Sequence, residues 1–165
     1  MNGLDLVHHV RFNAWATRRV MEAVRALAAE PFSRDLGSSY GGVRGTLVHI
    51  YHADRIWFDR LMGKPTGTLD EYQPPAEMHA FEQDWLGLLD RYIAWSEGLK
   101  DADWDRDMAY RDLKGNPYET PVWRIIAHLV NHDSYHRGQV VTMLRQLGHA
   151  PPGTDLILYY RTLGL

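Results

Sequence analysis

The chain has 165 residues, 45% hydrophobic and 24% charged, and its nine Tyr, six Trp and four Phe exclude a disordered polymer. A net charge of −3 leaves no basic footprint for nucleic acid and no polybasic patch for a membrane. Without cysteine there are no disulfides, no thiolate nucleophile and no Cys-based metal site.

The length predicts a single domain over residues 1–165. The absence of cysteine fits a cytoplasmic protein. Met1-Asn2-Gly3-Leu4-Asp5 lacks the charged and apolar regions of a signal peptide, so none is expected. No apolar run approaches the ~20 residues needed to span a bilayer. The unusual feature is histidine, nine residues unevenly placed.

The first 30 residues predict a helix. Val7, Val10, Ala14, Thr17, Met21, Val24 and Ala28 step by threes and fours onto one face, and Pro31 is the expected stop. Ser38 to Gly42 is loop chemistry. A second helix is predicted from Val43 to Met62, ending at Gly63-Lys64-Pro65. Residues 63–76, rich in Gly, Thr and Pro, form a long connection. A third helix follows from Glu77 to Leu99, with Phe81, Trp85, Leu88, Tyr92 and Trp95 along its stripe. Residues 100–120 predict a short hairpin or extended excursion. Thr120 as N-cap and Pro121 at the first helical position open a fourth helix, which runs to Leu147 before Gly148. The tail Asp155–Leu165 is expected to pack back as a short segment. Four amphipathic helices predict an all-α four-helix bundle, with no internal repeat or second-domain linker.

The fourth helix carries the chemistry. With about 100° per residue and His132 at the origin, its apolar residues span an arc from about 20° to about 120°. Ile125, Ile126, Leu129, Val140, Met143 and Leu144 lie on that arc. His136 lies about 40° from His132, so both imidazoles are core-facing, one turn apart and able to share an ion. Asp133, at about 100°, also turns inward, where a carboxylate beside a cation can orient a ligand histidine or a bound water. His128 falls at the edge of the arc. On the second helix His49 lies within the apolar arc, and His52 lies outside it toward the rim.

A lone His49 would read as a hydrogen-bonded core residue. His132 and His136 alone would read equally as a metal pair, a packed polar pair or an interface. Three inward imidazoles without a cation would need three separate sets of partners, which favours one shared divalent ion, Zn²⁺, Ni²⁺ or Fe²⁺. Three histidines leave an open coordination position, where a water or a substrate thiolate can be activated. His8, His9, His79 and His149 read as surface or rim residues.

Other chemistries lack their signatures. Ser134 and Ser38-Ser39 have no G-x-S-x-G context, and no Gly-rich phosphate loop occurs. Thr46, Leu129 and Asp133 stand where a di-iron bundle would place the Glu of Glu-x-x-His, so the site is expected to be mononuclear.

Asn131-His132-Asp133-Ser134-Tyr135-His136-Arg137-Gly138-Gln139 resembles the NHxxYHRGQ signature of the DinB/YfiT-like family of metalloenzymes. Ser38–Ile50, Ala53–Trp57 and Pro151–Leu156 also look like family segments, in matching order. The resemblance implies a four-helix bundle with a long crossover between helices two and three, a homodimer, and one divalent metal ion per chain. Carried over, the metal ligands are His49, His132 and His136; His128 matches the family without being one of its usual ligands. Family members include thiol-dependent S-transferases and isomerases that use bacillithiol, mycothiol or glutathione.

The leading expectation is a metal-dependent S-transferase that joins a low-molecular-weight thiol to a small-molecule electrophile. Asp133, or a water it holds, is the candidate catalytic group for proton handling. Arg137 is expected either to meet an acidic cosubstrate or to form a surface ion pair. The alternatives are a metal-water hydrolase, and a non-catalytic metal-binding stress-response dimer.

Overall fold

The computed structural model describes residues 3–164; the parts of the first helix and tail predicted at Met1, Asn2 and Leu165 lie outside the described residues. Helix α1 (Gly3–Val24) buries Leu6, Val10, Ala14, Thr17, Met21 and Val24 along the predicted face. It ends earlier than Pro31. After Val24 the amides of Ala26 and Leu27 bond three residues back, to Ala23 and Val24, which tightens and closes the helix. Pro31 instead lies inside a separate short helix, α2 (Ala29–Ser33). It is the third residue there, where a helical amide has no intrahelical partner to lose.

Helix α3 (Val43–Leu61) matches the expected second helix, and the long connection after it contains one 3₁₀ turn, Leu69–Tyr72. Helix α4 (Met78–Glu97) is capped by Glu77, whose carboxylate accepts from the amides of His79 and Ala80. A five-residue helix absent from the sequence reading follows, α5 (Asp101–Asp105). The Asp103 carboxylate accepts from the Lys100 amide, and Trp104 is buried against Trp95. The predicted hairpin then forms from β1 (Asp107–Arg111) and β2 (Pro117–Pro121), paired antiparallel.

Helix α6 (Val122–Gln146) starts one residue later than predicted. Thr120 pairs with Met108 in the hairpin ladder, which holds it extended, and Pro121 becomes the cap. At its far end Gly148 takes φ +81°, the amide of Gly148 bonds Arg145 and that of His149 bonds Leu144. This double closure is the usual glycine-terminated helix end. Helix α7 (Leu156–Thr162) packs back on α1, with Tyr159 against Phe12 and Trp15.

The four long helices form the bundle. Helix α1 lies against α4 and α6, and α3 lies against α6 and α4. Phe81, Trp85, Leu47, Ile50, Ile125 and Leu144 fill the centre with at most 1% of their surface exposed. A polar seam of Asn13, Thr17, Asp54, Asp133 and Arg137 crosses this apolar interior. Leu144→Ala is expected to lower unfolding free energy by about 2–5 kcal/mol while helix content is retained, measured by urea titration followed by circular dichroism.

Candidate metal centre

The packing of α3 on α6 brings three histidines together. His49 comes from α3, and His132 and His136 come from successive turns of α6. One ring nitrogen from each lies within 4.8 Å of the others. The ring centroids are 4.9 Å apart for His49–His132 and 4.5 Å for the other two pairs.

Two of the rings are held from behind. His132 Nδ1 donates to Asp133 Oδ1 at 3.1 Å, and His136 Nδ1 donates to Gln139 Oε1 at 2.9 Å. With Nδ1 occupied as a donor, each ring presents the lone pair of Nε2. His132 Nε2 lies 3.0 Å from His49 Nε2, so a single proton, carried by His49, satisfies that contact. Burial pushes the His49 imidazolium down to about 4, helped by the neighbouring His132, His136 and His52 and opposed by Asp133. Neutral imidazole is the form that binds a divalent ion, His49 favours that form, and three converging nitrogens fit one.

Tyr40 stacks on His49 with centroids 3.9 Å apart and planes 13° from parallel, and meets the edge of His136 at 5.5 Å. Its turn packs directly on the start of α3. A Cβ on Gly45 would stand 1.8 Å from the Tyr40 carbonyl oxygen, and one on Gly42 would stand 2.0 Å from that of Arg34. Only glycine allows either approach. Tyr135, 66% exposed, meets the other edge of His136 at 5.0 Å. His128 sits outside the cluster, 5.8 Å from both Trp57 and His132, and burial lowers its basicity as it does that of His52.

Asp133 has no exposed surface. Besides His132 it bonds Asn13, whose Nδ2 donates to Oδ2 at 2.5 Å. Arg137 donates to Asn13 Oδ1 at 2.5 Å, to Thr17 and to Ser134, and stands 3.9 Å from Asp133. Both sequence readings of Arg137 are thereby corrected. At 1% exposure it makes no surface ion pair and offers no exposed guanidinium to a cosubstrate, because Nη1 and Nη2 are bonded to Asn13, Thr17 and Ser134. Asp54 adjoins Asp133 and accepts from Trp85 Nε1 at 2.7 Å. Burial, and then the charge of Asp133, raise the Asp54 carboxyl well above the usual range.

Asn13, Asp54, Gln139 and Tyr40 were not singled out from sequence. Asn13, Asp54 and Asp133 share one signal, a polar side chain on the core-facing side of an amphipathic helix. Gln139 could have been found by its i+3 spacing from His136. Tyr40 carried no such signal, since a loop residue acquires its neighbour only through the fold.

A helical bundle with a three-imidazole cluster drawn from two of its helices defines the class of protein. The sequence profile of the DinB family matches residues 1–162, and this chain belongs to the DinB family. Protein DinB of Bacillus subtilis (strain 168) is 27% identical over 155 residues, covering 90% of this chain and 89% of that protein. The crystal structure of a DinB-like protein from Bacillus cereus ATCC 10987 has the same fold, with a TM-score of 0.61 at 22% identity over 84% of this chain and 89% of that chain. Among the described residues, no helix is long and apolar enough to cross a membrane.

The lowered His49, His52 and His128 set a sign for pH dependence. Each favours its neutral form in the fold, so their contribution is complete above the ordinary histidine value near 6.5 and is lost as pH falls below it, for His49 down to about 4. Thermal melts of metal-free protein are expected to be flat from about pH 8 to 7 and to fall below about 6.5. His49→Gln is expected to make that decline shallower.

Proposed function

We propose that this chain is a divalent-metal-dependent S-transferase. Its substrates are a low-molecular-weight thiol and a small-molecule electrophile. The observation that carries the proposal is the set of three converging imidazoles, two of them pinned through Nδ1. His49, His132 and His136 would hold one Zn²⁺, Ni²⁺ or Fe²⁺. A divalent ion so held leaves a position open and makes a thiol more acidic.

The chain supplies orientation around that position. Asp133 and Gln139 fix the His132 and His136 rings. Tyr40 and Tyr135 wall the exposed side with aromatic surface suited to an apolar electrophile. Asp133 has no access to a substrate proton, so its part is to orient His132. With no cysteine in the chain, the attacking sulfur comes from the cosubstrate. In the transfer a sulfur–carbon bond forms, the leaving group departs with its electron pair, and the thiol proton passes to solvent. A homodimer in the cytoplasm, as family resemblance and composition suggested, is part of the same reading.

Plasma mass spectrometry on untagged protein tests the site. About one equivalent of metal is expected in wild type and little in folded His49→Ala, His132→Ala and His136→Ala. Glutathione, bacillithiol and mycothiol, each with an alkylating electrophile, are then expected to be consumed only by metal-loaded wild type. Turnover without thiol would replace the transferase by a hydrolase. Bound metal with no turnover toward either would leave a metal-binding dimer.

A further inference from the structure

We propose that Asn13, on a helix that carries none of the three histidines, is a positioning residue that sets the tautomer and orientation of His132 by acting through Asp133. Asn13 is 6% exposed and sits between two oppositely charged buried groups. Its Nδ2 donates to Asp133 Oδ2 at 2.5 Å, and its Oδ1 accepts from Arg137 at 2.5 Å. The amide has one workable orientation. Turned over, it would aim its NH₂ at a guanidinium and its oxygen at a carboxylate.

Asn13 also acts as a spacer. Arg137 lies one turn beyond Asp133 on α6, an i,i+4 pair that would ordinarily close into a salt bridge. Here the closest approach is 3.9 Å, and Nη1 and Nη2 of Arg137 are directed to Asn13, Thr17 and Ser134 instead. The amide holds Oδ2 of Asp133, and Oδ1 is left facing His132 Nδ1 at 3.1 Å. That contact requires the proton on Nδ1 and turns Nε2 toward His49, 3.0 Å away. Without Asn13, Arg137 is free to draw the carboxylate away from His132. His136 has its own brace in Gln139 and does not depend on this chain of bonds.

The consequence for metal affinity rests on the proposed metal site; the tautomer does not. Long-range ¹H–¹⁵N correlation spectra of metal-free protein are expected to show His132 and His136 both protonated at Nδ1. In Asn13→Leu, His132 is expected to become a tautomer mixture while His136 stays unchanged, and Co²⁺ affinity to fall about tenfold. Gln139→Leu should show the reverse pattern. A role in stability alone would lower the melting temperature of Asn13→Leu and leave both tautomers in place. Asn13→Ser, smaller and still polar, serves if the leucine variant does not fold. The proposal is overturned if wild-type His132 carries its proton on Nε2, an outcome that needs no variant. It is equally overturned if a folded Asn13 variant keeps both the wild-type tautomer and the wild-type Co²⁺ affinity. Wild type that binds no Co²⁺ would refute the metal reading, while a tautomer mixture at His132 in Asn13→Leu would still uphold the positioning.

Discussion

A carboxylate with no exposed surface in the middle of a helical bundle has to be matched on every side, because removing it from water costs several kcal/mol. Asp133 is that group. Its neighbours come from the rest of the bundle: Asn13 from α1, Asp54 from α3, and His132 and Arg137 from α6 itself. Helix α4 joins through Trp85, which donates to Asp54, and through Tyr92, which bonds the Asp54 carbonyl. One polar seam therefore touches all four long helices. Such seams contribute less to net stability than an apolar core of equal volume, but each bond in this one admits a single relative placement of the helices it joins.

The histidine cluster uses that rigidity. Imidazole can ionise, and burial together with two neighbouring rings keeps His49 neutral well below pH 7. Hydrogen bonds on the far nitrogens of His132 and His136 decide which atoms face inward. Metal affinity in such a site depends on how little the ligands must move when an ion arrives. Here the supporting bonds lie in the core on one side and at the tightly packed Tyr40 turn on the other. The outer side of the cluster is bordered by Tyr40 and Tyr135.

Membership of the DinB family fixes the scaffold more firmly than the reaction, since one fold carries many chemistries. The transferase reading comes from the family resemblance, and this chain's own geometry supports its coarser part, a three-histidine cluster able to hold a metal ion. Three imidazoles able to hold one ion are fewer ligands than a closed tetrahedral site has.

Periodicity alone was enough to place the four long helices, because each must bury one apolar stripe. The wheel positions of His49, His132 and His136 followed from the same argument, since a side chain's direction on a helix is a local property. What those side chains meet is not local. The start of α6 moved because Thr120 was claimed by a strand pair, and α1 closed before Pro31 because its buried stripe ends at Val24. Arg137 looked like a surface residue until the helices packed, and Asn13 and Asp54 had no visible partner until three helices met. Sequence determined which faces carry imidazole and carboxylate. Only the tertiary structure decided that the three rings converge and that Asp133 meets an amide, because His49 lies 83 positions from His132 and Asn13 lies 120 positions from Asp133.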